Sequence, residues 1–195
     1  MSTPYQQMYP VSGGRVNGRD NALFIGVLVS AVLYVIACVV RLYAAASLNG
    51  MIHQRLNGDG SVDQAKVDSM AKLADNSRWA ALFLLLLTLV LFIAFYTTLN
   101  RRLALMGSRG SLSRTPAFVT WRVGVVVSLV LSLFLNATVN TSSLEALSSA
   151  LDKDMFYYAL RAAIGCVYIW CAFSMRKAAE RFATATPAFP SRPNA

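Results

Sequence analysis

Four long apolar stretches, separated by polar segments, dominate the sequence. They cover about residues 22–46, 79–99, 117–139 and 155–175. At 1.5 Å of helix per residue each is at least about 30 Å long, which matches the hydrocarbon core of a bilayer. The stretch 79–99 contains no charged residue. The pattern therefore predicts an all-α membrane protein in which residues 21–176 form a bundle of four transmembrane helices.

The polar segments predict the rest of the organisation. Residues 1–20 and 177–195 lack hydrophobic periodicity and contain proline, which predicts two disordered tails. The first connecting loop contains a capping box, with Ser61 as N-cap and Gln64 at the third helical position. Apolar residues then recur on one helical face, namely Val67, Met70, Ala71 and Ala74. We expect a short amphipathic helix in this first outer loop, lying on the membrane surface or on the bundle.

Composition and charge fit a membrane environment and orient the bundle in it. Hydrophobic residues make up 56% of the 195 residues and charged residues 14%, against about 25% charged residues in soluble domains. The formal net charge is +9, but the arginines lie at the edges of apolar stretches, so we expect no nucleic-acid partner. The loop after the second stretch contains Arg101, Arg102, Arg109 and Arg114 and no acid. Short basic loops stay in the cytoplasm, so both termini are expected there, with anionic lipid headgroups as partners of the basic side chains.

Three arginines lie inside the predicted spans, where a charge costs about 2.5–3.5 kcal/mol at the bilayer centre. Arg122 and Arg161 come near the N-terminal ends of their spans. Helical side chains lean toward the helix N-terminus, so snorkelling to water is the main interpretation for both. Arg41 lies near the C-terminal end of its span. Its side chain therefore leans inward, away from the nearest water. Either the first helix simply ends there, or Arg41 makes a polar contact with Asn136 or with an acid of the loop 140–154.

Small and polar residues form a ridge on the third span, at every fourth position: Gly124, Ser128, Ser132, Asn136 and Asn140. Such a ridge lets helices approach closely and hydrogen-bond across an interface. Packing within the bundle or between copies is the first interpretation. The second is a hydrated pore lining, because faces of Ser and Asn suit a channel.

The sequence contains no catalytic constellation. Its single histidine, His53, has no neighbouring residues that would complete a metal site. No phosphate-binding loop, nucleophile elbow or intramembrane carboxylate occurs. Cys38, Cys166 and Cys171 all lie in apolar stretches, where they behave as small apolar residues. We therefore expect a protein that is not an enzyme and that uses no cofactor or metal.

A short pattern joins the end of the second span to the start of the third. It consists of Phe95, Tyr96, Asn100, Ala104, Leu105, Gly107, Pro116 and Trp121. In this pattern the chain resembles a family of uncharacterised four-pass membrane proteins common in actinobacteria. The spacings differ from the family's, and the prolines and the acidic residue that the family carries beyond the tryptophan are missing here. The resemblance implies a bacterial cytoplasmic-membrane protein and no particular activity.

These features together predict an integral protein of the bacterial plasma membrane that acts as a non-enzymatic interaction or regulatory subunit. The alternative is a homo-oligomeric channel or membrane-permeabilising effector, lined by the ridge on the third span. The expected partners are the lipid bilayer, and a second copy of the chain or another membrane protein.

Overall fold

Every element of the described structure is helical. The computed structural model describes residues 18–58, 63–105, 112–134 and 143–185. The all-α fold predicted from the sequence is confirmed for these residues. They form the α-helices Gly18–Leu56 (α1), Gln64–Leu105 (α2), Pro116–Phe134 (α3) and Leu144–Ala185 (α4), with one 3₁₀ turn at Leu112–Arg114.

The helix expected in the first outer loop is not a separate element. α2 begins at Gln64 and continues through the apolar stretch to Leu105 without interruption. Neither proline nor glycine occurs between these two residues, so the backbone has no residue that would end or bend the helix. The segment expected to lie on the membrane surface instead forms the first turns of α2.

The N-cap of α2 is Asp63, two residues later than the predicted cap. The backbone N–H of Ala65 donates to Asp63 Oδ1 at 2.9 Å, and the N–H of Val67 donates to the Asp63 carbonyl at 3.2 Å. These bonds satisfy donors that a helix start leaves open. Ser61, the predicted cap, lies outside the described residues.

The helices extend past the limits predicted from hydrophobicity. α1 continues ten residues beyond the predicted end of the first span, to Leu56. α4 begins at Leu144, inside the loop predicted at 140–154, and it continues to Ala185 through the start of the predicted C-terminal tail. Hydrophobicity indicates where a chain is in contact with lipid, whereas a helix continues until a cap or a breaker ends it.

α1 has the most extensive contacts in the bundle, in which consecutive helices run in opposite directions. It packs along both α2 and α4, and α4 packs along α3. α2 and α3 contact each other through stacked rings, whose centroids are 4.6 Å apart for Phe92 and Trp121 and 4.3 Å apart for Tyr96 and Phe118.

The buried positions of the long helices alternate between spacings of three and four residues. They include Phe24, Val27, Ala31, Tyr34 and Cys38 on α1, Leu85, Thr88, Phe92, Phe95 and Leu99 on α2, and Tyr158, Arg161, Gly165, Tyr168, Ala172, Met175 and Ala179 on α4. This is the spacing of helices that pack knobs into holes, as in coiled coils. It keeps one face of each helix against its neighbours over the whole length of the bundle.

Three helices, α1, α2 and α4, are long and apolar enough to cross a membrane. Residues 21–40 of α1 and 79–100 of α2 carry no charge, which corresponds to about 30 and 33 Å of helix. We call the layer that these two segments define the apolar band. α3 is a shorter apolar helix of 19 described residues, and valines such as Val119, Val123 and Val126 are exposed on its surface.

Candidate functional site

Polar side chains line the interface between α1 and α4 at one edge of the apolar band. We call this set the polar seam: Arg41, Asn49 and His53 on α1, with Ser148, Asp152 and Asp154 on α4. The two helices are antiparallel, so residues about 100 positions apart in the sequence contact each other. The seam begins at the edge of the band and follows α1 outward for about 18 Å.

Arg41 forms an ion pair with Asp154. Its Nε donates to Asp154 Oδ2 at 2.8 Å and its Nη2 donates to the same oxygen at 2.5 Å. The side chains are 15% and 17% exposed, so water is largely excluded from the pair. The structure therefore supports the second interpretation of Arg41, a polar contact with an acid. Asp154, however, lies in α4 and not in a loop. α1 does not end at Arg41 but continues to Leu56.

Beyond this pair the seam continues as a chain of hydrogen bonds. Asn49 is buried, and its Nδ2 donates to Asp152 Oδ1 at 2.8 Å. Ser148 Oγ donates to Asn49 Oδ1 at 2.7 Å and lies 3.3 Å from His53 Nε2. Asn49 thus contacts two residues of α4 on adjacent turns. Such a pattern specifies how far one helix is displaced along the other, because shifting the helices leaves buried polar groups without partners.

The sequence led us to expect that Arg161 lies near the start of its helix and extends to water. The structure shows neither. α4 begins 17 residues earlier, at Leu144, and Arg161 is only 5% exposed. Its guanidinium carbon lies 5.3 Å from the centre of the Tyr158 ring, and that of Arg41 lies 5.5 Å from the same centre. Both distances fall within the range of cation–π attraction. The arginine is thus buried inside the bundle beside Tyr158.

Arg122 lies six residues after the first residue of α3. It is exposed, and its guanidinium carbon lies 5.8 Å from the centre of the Phe118 ring, one turn nearer the start of the helix. Its side chain thus leans toward the N-terminus of α3, the direction expected for a helical side chain.

The described part of the ridge on α3 packs against α4. Ser128 is fully buried, and its Oγ lies 2.9 Å from the hydroxyl oxygen of Tyr168. At Gly124 an added Cβ would lie 3.1 Å from the ring of the same tyrosine. These two residues therefore allow Tyr168 to lie close to α3. The Ser132 side chain, Asn136 and Asn140 lie outside the described part of the structure.

At the opposite edge of the apolar band, three helices are joined by charged side chains. Arg102 of α2 pairs with the buried Asp20 of α1 at 3.2 Å. Arg176 of α4 lies 4.5 Å from the centre of the Phe24 ring on α1 and pairs with Glu180 at 3.2 Å. Because Asp20 and Arg41 are 21 residues apart on one helix, the two charged levels are separated by about 32 Å.

The end of the bundle that contains Asp20, Arg102 and Arg176 is strongly basic. Among the described residues it contains eight basic side chains and two acids, Asp20 and Glu180. We call this the basic end, formed by Arg19, Arg101, Arg102, Arg114, Arg122, Arg176, Lys177 and Arg181. Arg101 and Arg114 of the predicted basic loop are exposed, whereas Arg109 lies outside the described residues.

Sequence reasoning missed Asn49, Ser148 and Tyr158. Tyr158 and Arg161 begin the alternating spacing of three and four residues on α4, and that spacing is the signal that would place them on the α1 side. It is hard to detect because the exposed side of each helix is apolar as well. On α4 the small residue that lies against Tyr34 and Val35 of α1 is Gly165, whereas the next residue, Cys166, is exposed.

The chemistry of the seam is ion pairing and hydrogen bonding between helices. Among the residues that the structure describes, no three metal-ligating side chains come together. Comparisons with protein-family models, with curated proteins and with solved structures find no match for this chain.

Proposed function

We propose that the protein is a non-enzymatic interaction or regulatory subunit of the bacterial plasma membrane. In this proposal α3 is the fourth span, the basic end faces the cytoplasm together with both termini, and the other edge of the band faces outward. The excess of basic side chains at the basic end supports this orientation. Anionic headgroups of the cytoplasmic leaflet are the expected contacts of those side chains.

The observation that carries the proposal is the extension of three helices beyond the apolar band. We call this part the projection: residues 42–56 of α1, 64–77 of α2 and 144–153 of α4. It reaches about 15 to 22 Å beyond the band. Its side chains of both signs are exposed, among them Lys66, Asp68 and Lys72. A helical surface with fixed charges of both signs suits recognition of another protein.

The α3 ridge supports a subunit more than a pore. Gly124 and Ser128 lie against Tyr168, in the interface between α3 and α4. Side chains that line a pore face water, whereas Ser128 is fully buried in the bundle. Close packing of small residues is the role that membrane bundles commonly give to such a ridge.

Purification from the native membrane in a mild detergent tests the proposal. We expect the tagged chain to retain a stoichiometric protein partner. The double variant Lys66→Glu and Lys72→Glu, which reverses two exposed charges of the projection, should lose this partner while its unfolding temperature stays the same. The matched control is Lys177→Glu with Arg181→Glu, which reverses two exposed charges at the basic end and should keep the partner. If the wild-type chain yields only homo-oligomers, or if both double variants keep the partner, the proposal is wrong.

A further inference from the structure

α1 turns a stripe of uncharged residues away from the rest of the bundle. The five members in the apolar band are between 44% and 57% exposed, and Tyr43, just beyond the band, is 63% exposed. Ala46 and Gly50 continue the stripe into the projection and are exposed as well. We call this set the outer stripe: Ile25, Val29, Val32, Ile36, Val39, Tyr43, Ala46 and Gly50. It follows α1 for about 38 Å.

The outer stripe has the spacing of a helix that packs against another helix. Its members are alternately four and three residues apart, the pattern that packs knobs into holes, and it is sustained over more than three heptads. The five members in the band are all valine or isoleucine, whose stiff side chains lose little freedom on packing. In the described part of the chain no helix covers this stripe.

Lipid does not reach the end of the outer stripe. The uncharged segment of α1 in the band ends at residue 40, so Ala46 lies about 9 Å and Gly50 about 15 Å beyond it. Headgroups extend only about 5–8 Å past the hydrocarbon core. In the projection α2 and α4 carry exposed charges, such as Lys72 and Lys153, as helix surfaces in water usually do. The outer stripe has none, and a lack of charge is typical of the centre of a protein interface.

At Gly50 the backbone of α1 is open to a neighbour. An added Cβ would meet no atom within 4 Å, so packing within the chain does not require glycine here. Glycine inside a helix is less favourable than alanine. Ala46 and Gly50 are one turn apart, and such a pair of small residues lets two helix backbones approach closely. A second helix against this face accounts for the glycine.

We propose that two copies of the chain pair in parallel through the outer stripe. Both copies insert into the membrane in the same direction, so the two-fold axis of a closed pair lies along the membrane normal, and residues at the axis face their own copies. Charged residues are unfavourable there, because like charges would be opposed. The outer stripe carries no charge, whereas the exposed side of α2 would oppose Asp68, Lys72 and Asp75 to their own copies. The inference rests on the membrane placement given under the proposed function.

Disulfide cross-linking in native membranes tests the contact. Ala46→Cys places a thiol on the outer stripe of the full-length chain, where the two copies of this residue face each other within reach of a disulfide. We expect oxidation to link most of the chain into dimers. The matched control is Ser69→Cys, which places an exposed thiol on α2 in the same projection and should stay unlinked. The unsubstituted chain, with its three native cysteines, should stay unlinked as well.

Gly50→Leu separates the contact from the fold. A side chain at this position begins in open space within its own chain, so the unfolding temperature of the diluted protein should not fall. Between two copies it overpacks the interface. Energy transfer between labelled chains in liposomes measures the dissociation constant of the pair, which we expect to rise by about tenfold or more. Ser69→Leu adds the same side chain to the exposed side of α2 and should leave this constant unchanged.

The opposite results would overturn the pair: a wild-type chain that stays monomeric in liposomes, equal cross-linking of Ala46→Cys and Ser69→Cys, or a dissociation constant that Gly50→Leu leaves unchanged. Cross-linking of Ala46→Cys to a different protein would show that another partner covers the outer stripe. If the chain inserts and retains a protein partner but does not pair, only this inference fails. Pairing without any other protein partner would leave this inference standing and contradict the proposed function. A chain that does not insert would contradict both.

Discussion

At Gly165 the α4 backbone lies so close to α1 that a side chain has no room. A Cβ at this position would lie 2.5 Å from Val35 Cγ2 and 3.1 Å from the Tyr34 ring. We expect Gly165→Ala to destabilise the fold by about 1–2 kcal/mol, because overpacking exceeds the gain in helix propensity. Thermal unfolding in detergent measures the change.

Gly26→Ala is the matched control for this glycine. At Gly26 the nearest atom to an added Cβ is Leu91 Cδ1 at 3.6 Å, an ordinary contact distance. This variant should be as stable as wild type or slightly more stable. Equal losses of stability in the two variants would show that the close approach at Gly165 is not what limits the size of the residue.

Ser128 allows a direct test of packing against pore lining. Its side chain is fully buried beside the Tyr168 hydroxyl. The larger side chain of Ser128→Leu therefore has no free space to occupy. We expect Ser128→Leu to lower stability by about 1–3 kcal/mol, and Ser128→Ala to lower it by no more than about 1 kcal/mol. Liposomes containing wild-type protein should show no solute flux. Flux in wild type that Ser128→Leu alters while the fold stays intact would favour the channel.

At the scale of single residues, the sequence predicts which side chains are unusual but not which residues they contact. Arg41 and Arg161 were identified because a charge in an apolar stretch needs an explanation. The partner of Arg41 could be limited only to Asn136 or to an acid of the following loop, because the displacement of α4 along α1 is set by packing. Asn49 was missed because it follows the first apolar stretch and looks like an ordinary loop residue.

At the scale of elements, the continuity of α2 is open to a direct test. Asn76 is exposed at the point where the projection joins the span. Asn76→Pro should destabilise the protein by about 3 kcal/mol, since proline removes a backbone hydrogen bond and its ring clashes with the preceding turn. Asn76→Ala, the control, should be neutral or slightly stabilising. If proline is tolerated as well as alanine, the helix is interrupted here, as the sequence had suggested.

The Arg41–Asp154 pair is the contact that fixes α1 against α4 at the edge of the band. Asp154→Asn or Arg41→Gln alone leaves a largely buried charge without its partner, and we expect each to lower stability by about 2 kcal/mol. The double variant should lose less than the sum of the two, and this difference measures the coupling. The exposed Arg176–Glu180 pair is the comparison: Glu180→Gln should change stability by less than about 0.5 kcal/mol.

Hydrophobicity could not predict the residues at which the helices begin and end. The predicted first span ended near Ala46, but α1 continues to Leu56 because the polar residues beyond the band still pack against α2 and α4. Asn49 and Ile52 are buried there although the apolar band has ended. The apolar stretches therefore predicted the existence of each helix, and the contacts between helices determined its length.

At the scale of the whole molecule, one bundle combines the apolar band and the polar projection around a continuous core. The spacing of three and four residues runs on α2 from Ala74, in the projection, to Leu99 near the basic end. The same spacing of buried residues therefore packs α2 in the projection and in the band. This continuity suits a subunit in which contacts outside the membrane affect helix packing inside it.

The direction in which each helix crosses the membrane can be tested by single cysteines. Ser69→Cys, Ser113→Cys and Ser143→Cys each place a thiol at an exposed position beyond the apolar band. If four helices cross and the basic end faces the cytoplasm, a membrane-impermeant maleimide labels the cysteines at 69 and 143 in intact cells. It labels the cysteine at 113 only after permeabilisation.

The cysteine at 143 decides whether α3 is a fourth span, because it follows α3 and precedes α4. Of the native cysteines, Cys38 and Cys171 are buried, and Cys166 faces outward among apolar side chains where a charged reagent does not react. The unsubstituted chain is therefore the control and should remain unlabelled. Labelling at 113 but not at 69 would reverse the orientation. Labelling at 69 but not at 143 would show that α3 does not cross, and the four-span bundle would then be wrong.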